Sequence, residues 1–286
     1  MWLSKPDDAS SRRTAKLTVQ HATPDVRLGM FVRSYVQRET GTCKPGEEIV
    51  EPVVARMGTM LEFQFDNPYE VPIYGTGLCI IPPSINVIGP MTQRTYRLLI
   101  RDHVQALAVL FQPDGFRALF GIPASIFVNT AIEGHSVLGP GVTRLFEQLG
   151  NTNAFAGRVT LLDSFLLKRL AATQPLGRIH RALTSLIETG NQARVADVAR
   201  QAGITIRQLE RKSLDYAGVS PKLLVRIARF QRALRMKSSG SASWSEIAHN
   251  LDYYDQMHMI RDFCAFAGEA PVRALEQTAP DHLIHL

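Results

Sequence analysis

Along the chain the spacing of apolar residues changes period. Between residues 21 and 112 the period is two. Leu61, Phe63 and Phe65 alternate with Glu62, Gln64 and Asp66, the spacing of a half-buried strand. Tyr96, Leu98 and Ile100 alternate with Arg97 and Arg101, and the run 104–111 is apolar enough for a buried strand. Pro68, Pro72, Gly75, Gly77, Pro82, Pro83, Gly89 and Pro90 punctuate this stretch. Many short strands with such turns predict a β-sandwich or barrel. After Pro113 helical spacing takes over. It predicts helices over 115–120, closed by Gly121, over 142–149, ended by Gly150, and over 155–170. Gln174-Pro175 reads as a boundary, and from Leu176 onward everything reads as helix and tight turn. Residues 1–20 read as a disordered tail.

The C-terminal part repeats itself at an offset of fifty residues. Thr205, Leu209, Arg211, Gly218 and Pro221 return as Asp255, Met259, Arg261, Gly268 and Pro271. In the first copy Val195, Val198, Ala199 and Ala202 form an amphipathic stripe. Gly203 follows, free to take the left-handed conformation that stops a helix. Thr205-Ile-Arg-Gln208 has capping-box spacing, so a second helix starts almost at once, as a helix-turn-helix requires. In the second copy Ser243-Trp-Ser-Glu246 is another capping box, with Trp244, Ile247, Ala248 and Leu251 as its stripe. Asp252 takes the turn and Asp255 caps the next helix, whose inward face is Met259, Phe263 and Phe266. Between the copies, Ser220-Pro221 opens a connecting helix. Leu223, Ile227, Phe230 and Leu234 make one face of it, and Lys222, Arg226, Arg229, Arg232 and Arg235 the other. A structural helical repeat would also produce this periodicity.

Charge sharpens the picture. The chain of 286 residues carries a formal charge of +6, but residues 191–237 alone hold eleven Arg/Lys against three acids, +8. Such a segment suits a polyanion, or a solvated helix face. Residues 238–286 carry two basic and seven acidic residues, −5, so phosphate neutralisation there is expected to be weak. Apolar residues make up 45%, enough for a real core. No apolar run reaches the ~18 residues of a membrane span, and no secretory signal is evident. Cys43, Cys79 and Cys264 are odd in number and far apart, which fits free thiols in a reducing cytoplasm.

On these residues the resemblance to a known family is specific. Residues 195–275 resemble the DNA-binding domain of the AraC/XylS family. The run Ser-Pro-Lys-x-x-x-Arg-x-x-Arg-Phe-Gln-Arg-Ala-Leu (220–234) is similar to that family's linker, and Asp-Gln-x-His-x-x-Arg-Asp-Phe (255–263) with Gly268-x-x-Pro271 to its second unit. Upstream, Phe111-Gln-Pro-Asp-Gly-Phe-Arg-Ala-Leu-Phe-Gly121 is similar to the end of the cupin-like sensor domain of some such regulators. The resemblance implies that each second helix enters a major groove of double-stranded DNA. By position, Arg207, Glu210 and Arg211 face bases in the first unit, and Gln256, Met257, His258 and Arg261 in the second. Arg pairs bidentately with guanine and Gln with adenine. Arg226 and Arg229 read as phosphate or groove-wall contacts, or as solvated charge. One departure is Ser213, where the family usually has a bulky aromatic. Packing there is expected to loosen, or Leu214 to rotate in.

Other chemistries find less support. His21 and His103 are isolated, His135 stands near Glu133 alone, and no metal-binding spacing occurs before the boundary. The cysteines lack an activating neighbour in sequence, and neither a phosphate-cradling glycine loop nor a nucleophile elbow is present. The expectation is therefore no enzyme, no catalytic residue, no metal and no cofactor. Phe63, Phe65, Tyr69, Tyr74 and Tyr96 line an effector pocket or belong to the core. Leu161, Phe165 and Leu166 are a candidate dimerisation surface or core.

The expected architecture is α+β. A disordered tail (1–20) precedes a β-rich, cupin-like barrel or sandwich (21–139), and a helical linker or dimerisation segment (140–174) joins it to an all-α domain (175–286) of two helix-turn-helix units on a long helix. The expected function is cytoplasmic, sequence-specific transcription regulation, activation by analogy with the family. Its expected partner is DNA, with RNA polymerase, a small-molecule effector and a second copy as further candidates, and no membrane.

Overall fold

A computed structural model describes residues 17–41, 48–173, 177–190, 194–240 and 242–277. The Gln174-Pro175 boundary, Cys43 and most of the expected tail lie outside the described residues. The N-terminal domain contains strands β1 (Leu17–Ala22), β2 (Val32–Thr40), β3 (Ile49–Pro52), β4 (Met60–Gln64), β5 (Val71–Pro72), β6 (Cys79–Ile80), β7 (Ile85–Ile88), β8 (Arg97–Ile100), β9 (Gln105–Phe111) and β10 (Ala131–Glu133). Six of them form an antiparallel sheet in the order β1-β2-β9-β4-β7-β10, while β3-β8 and β5-β6 are separate two-stranded ribbons. The β-rich expectation is borne out. Residues 17–20, expected in the tail, instead pair with β2 from Gln37 to Thr40, because their backbone groups complete that strand's outer ladder.

The central strand β9 shows how sequence sets the two sides of the sheet. Leu107, Val109 and Phe111 enter one core, and Ala106, Ala108 and Leu110 face the other way into a cavity. Its neighbour β4 divides likewise, with Leu61 and Phe63 in the core and Met60 and Glu62 in the cavity wall. The expected half-exposed strand is thus buried on both faces. Glu62 and Gln64 are inside because the ribbons β3-β8 and β5-β6 cover that side, not because the alternation was misread.

The first face of the sheet is covered by helices α1 (Gly115–Phe120), α2 (Gly134–Leu138), α3 (Pro140–Gly150) and α4 (Phe155–Leu170). The left-handed Gly121 closes α1 as expected. The expected 142–149 helix starts earlier, at Pro140 in its first turn, where a missing N–H costs nothing. Leu166 is fully buried, and Leu161 and Phe165 pack on the same core. Of the candidate dimerisation residues Leu166 is therefore taken up inside the monomer and Leu161 and Phe165 partly so, and 140–170 belongs to the N-terminal body. Arg158 of α4 fixes this layer. Wholly inside, it donates to Gln37 Oε1 on β2 at 2.8 Å, to Gln105 Oε1 on β9 at 2.9 Å and to the Thr152 carbonyl at 2.7 Å.

The C-terminal part is all helix: α5 (Arg178–Thr189), α6 (Val195–Gln201), α7 (Ile206–Ala217), α8 (Pro221–Ser239), α9 (Trp244–Asn250), α10 (Gln256–Ala267) and α11 (Pro271–Gln277). Its core contains Leu209, Ile227, Phe230, Ile247, Met259 and Phe263, all fully buried. Three residues of the N-terminal domain, Val54, Ala55 and Met57, are part of that same core.

Replacing Arg158 with Met is expected to cost about 3 kcal/mol, because buried acceptors on three elements lose their donor at once. Urea unfolding of the full chain followed by circular dichroism checks this; an unchanged midpoint contradicts the role given to Arg158.

Candidate nucleic-acid interface

Each repeat copy builds the same local device. In the first, Gly203 takes a left-handed φ of 65° after α6. The Thr205 hydroxyl accepts from the Gln208 amide at 3.1 Å while Gln208 Oε1 accepts from the Thr205 amide at 2.9 Å. Gln208 is thereby committed to the cap. In the second copy Asp252 takes the left-handed turn with φ 54°, and the Asp255 carboxylate accepts from the His258 amide at 2.6 Å. The turn needs one left-handed residue, and Asp bears it where glycine is lacking. Helices α10 and α7 end alike on left-handed glycines, Gly268 and Gly218.

Most of the residues expected to face bases are open to solvent. Arg207, Glu210 and Arg211 on the first half of α7 are exposed, as are Gln256, Met257 and Arg261 on α10. His258 is half-buried, with its ring set edge-on to Tyr253. Tyr254 was missed by sequence reading. It stands 92% exposed one residue before the α10 cap, and its signal was its place in the turn, between the buried Tyr253 and the Asp255 cap.

Arg229 requires correction, and Arg226, though 37% exposed, is already paired. Neither is a free groove-wall cation. The Asp262 carboxylate of α10 accepts from Arg226 Nε and Nη2 at 3.0 and 2.7 Å through Oδ1, and from Arg229 Nη2 at 3.0 Å through Oδ2. Arg226 lies over the Phe266 ring and Arg229 over Tyr253, 3.9 Å from its centroid. Arg229 is almost fully buried, so it cannot reach a phosphate from this position. The i, i+3 spacing that looked like a basic stripe is the spacing that lets two arginines of α8 clasp one aspartate. The basic face is also narrower than expected, because α8 is covered by the N-terminal domain and by α5 as well as by both repeat units: Gln231 is buried and donates to the Ala55 carbonyl, and Arg232 donates to the Glu188 carbonyl of α5. The Ser213 departure does not bring Leu214 inward. Ser213 is fully buried and donates to the Val219 carbonyl at 2.6 Å, while Leu214 remains 46% exposed.

Both α7 and α10 are gripped at their C-terminal ends by the N-terminal domain. Arg117 pairs with Asp215 on α7 at 3.2 Å, and Gly218 abuts Pro90, Val128 and the Ala124 carbonyl so closely that a Cβ would sit about 3 Å from each. On α10 the Ala55 amide donates to the Phe266 carbonyl at 2.9 Å, and Arg94 donates to the Ala267 carbonyl at 3.1 Å and pairs with Glu269. The exposed readers occupy the opposite, N-terminal halves. Elsewhere, His103 sits between Glu39 and Asp66, at 3.3 and 3.2 Å, an arrangement invisible in sequence. Among the described residues no cluster of three metal-ligating side chains occurs, and no helix is long and apolar enough to cross a membrane.

Asp262→Ala is expected to destabilise the chain by about 3–5 kcal/mol, since it strands two arginines, one of them buried. Chemical unfolding measures this, and a loss under about 1 kcal/mol contradicts the clasp.

Comparison with known proteins adds the following. Residues 198–277 match a family described as a helix-turn-helix domain, and residues 20–133 match a domain of unknown function, DUF6597. No curated protein matches the chain. Among solved structures it is similar to ToxT from Vibrio cholerae O395, at 11% identity over 95% of this chain and 98% of that one, with a TM-score of 0.45. Unsaturated fatty acid bound wild-type ToxT from Vibrio cholerae strain SCE256 gives 9%, 94%, 98% and 0.47. The AraC-like transcriptional activator CuxR gives 14% identity over 75% and 86%, with a TM-score of 0.30. With the paired units, their caps and their connecting helix in place, the chain carries at its C-terminal end an AraC-type helix-turn-helix domain, the DNA-binding module of transcription regulators, behind a β-rich domain.

Proposed function

We propose that this regulator is an effector-responsive activator that reads two successive major grooves of double-stranded DNA. The observation that carries the reading is the division of labour along both recognition helices. Their C-terminal ends are held by the N-terminal domain, and their N-terminal halves present Arg207 and Arg211, or Gln256 and Arg261, to solvent. An α8 of 19 residues spans about 28 Å, comparable with the ~34 Å between successive grooves on one side of a duplex. Arg207, Glu210 and Arg211 would read bases in one groove, and Gln256, Met257, His258 and Arg261 in the next.

The two units would contribute unequally. With Arg229 buried and Arg226 paired to Asp262, phosphate attraction falls mainly to the remaining cations of the first unit and the connecting helix, among them Arg200, Lys212 and Lys222. Asp262 is hidden with those two arginines, so the second unit shows DNA one acid fewer than its sequence suggests. That unit would add discrimination more than affinity. RNA polymerase is the partner that activation requires. A division near residue 174 and a second copy of the chain belong to the same reading. An effector is supported by a cavity of about 250 Å³ in the N-terminal domain.

The reading is tested by selecting preferred sites from random DNA with the full chain, then measuring affinity against salt. One class of site is expected to be enriched. Arg207→Ala with Arg211→Ala should weaken all binding at least about tenfold and flatten the salt dependence by roughly one to two ions. Gln256→Ala with Arg261→Ala should blur site preference while largely keeping non-specific binding. Failure to enrich any site, or equal loss on all DNA in the second variant, would contradict the respective claims.

A further inference from the structure

The fifty-residue repeat allows each outward position of α7 to be set beside its counterpart on α10. On α7 one row, spaced i, i+4, i+7, holds Arg207, Arg211 and Leu214, and the matching row on α10 holds Met257, Arg261 and Cys264. All of these are exposed. The opposite side of each helix is buried, through Leu209, Ser213 and Ala217 on α7 and through Met259, Asp262, Phe263 and Phe266 on α10. The rows share the arginine at their middle. They differ at their first place, where one unit has a guanidinium and the other a thioether.

Met257 is not held in this row by packing. It is 55% exposed, and α10 supplies the core with Met259, Phe263, Phe266 and Ala267 instead. Gln256 stands exposed before it, the His258 ring turns to Tyr253 after it, and Arg261 lies one turn on. A thioether has no proton to donate and accepts only weakly, so it forms no bond to a phosphate or to the acceptor edge of guanine. Pressed against that edge it would strip water from N7 and O6 and return nothing. One group that the base pairs present in the major groove is apolar, the C5 methyl of thymine. An unbranched methionine side chain, with three rotatable bonds, adapts its shape to such a contact.

We infer that Met257 selects a T·A pair by its thymine methyl, so that the second unit reads an A·T step at the place where the first unit reads guanine through Arg207. This rests on the groove-reading proposal above and gives its second half-site a base identity. Charge favours the same assignment. Residues 238–286 carry two basic residues against seven acidic ones, so this unit gains little from phosphates. Apolar burial is a source of affinity that those acids do not oppose and that salt does not screen. Gln256, next in sequence, carries the amide that pairs bidentately with adenine, which suits an A·T-containing half-site.

The test uses the full chain and, as probe, the duplex selected from random DNA. Each thymine of either strand is replaced in turn by deoxyuridine, which differs only in lacking the methyl. At one position the replacement is expected to lower affinity about fourfold, the worth of one buried methyl, with the salt dependence unchanged. Met257→Ala should weaken binding to the parent duplex and no longer distinguish it from the deoxyuridine duplex. Met257→Gln, similar in length but polar, should lose the distinction too, and Met257→Leu should keep it. Arg261→Ala should weaken binding to both duplexes and leave their ratio intact. An enriched site with no methyl-sensitive thymine, or a methyl effect that persists in Met257→Ala and Met257→Gln, overturns the contact and leaves the groove-reading proposal standing. Failure to enrich any site overturns both. Thermal melts identify a variant that fails to fold, in which case the other of Met257→Ala and Met257→Gln decides.

Discussion

The placement of α10 on the connecting helix depends on one carboxylate held by two guanidiniums. Asp262 projects from α10 into the side of α8, where Arg226 and Arg229 meet both of its oxygens. A buried ion pair gains little over an apolar contact of similar size, but it is strict about geometry: the charges must meet or remain uncompensated. Phe266 and Tyr253 seat the two guanidiniums from below, so cation–π attraction adds to the pairing. The clasp sets the angle at which α10 leaves the connecting helix. Apolar packing of Phe230 against Phe263 and Phe266 supplies the bulk of the burial but is less particular about direction.

The N-terminal domain completes the arrangement from outside the repeat. It meets the two repeat units at corresponding places, the glycine caps at the ends of α7 and α10. Glycine at these caps serves the left-handed turn and also leaves room for a neighbour, Pro90 and Val128 at Gly218 and Arg94 at Gly268. The inserted residues Val54, Ala55 and Met57 then cover a side of α8 that a free-standing DNA-binding domain would expose. The two domains share a core, so the state of one bears on the geometry of the other. Their polar contacts, Arg117 with Asp215, Arg94 with Glu269 and His180 with Asp114, lie around that shared core.

The sheet owes its cavity to side-chain volume. On one face of β9 the chain sets Leu107, Val109 and Phe111, which interlock with the helices. On the other it sets Ala106, Ala108 and Leu110, whose two small residues leave space that the covering ribbons do not fill. Arg158 and the stacked rings of Phe65 and Phe146 hold the helical layer to the sheet. This makes the sheet a firm wall against which the cavity keeps its shape.

Much of the C-terminal architecture was determined by the sequence alone. Capping boxes, left-handed turn residues and 3.6-residue periodicity act within a few residues, so Thr205, Gln208, Gly203, Ser243 and Asp252 place their elements without help from distant parts of the chain. The outward faces bearing Arg207, Arg211, Gln256 and Arg261 followed from the same local rules. What a charged residue does once exposed or buried was decided by tertiary structure. Arg226 and Arg229 share their type and spacing with solvated arginines, and only the arrival of Asp262, more than thirty positions away, engaged both and buried Arg229. The fate of Leu166, the burial of Glu62 and the insertion of Ala55 were settled likewise, because each depends on which distant surface comes to lie against it, and a one-dimensional pattern carries no record of that contact.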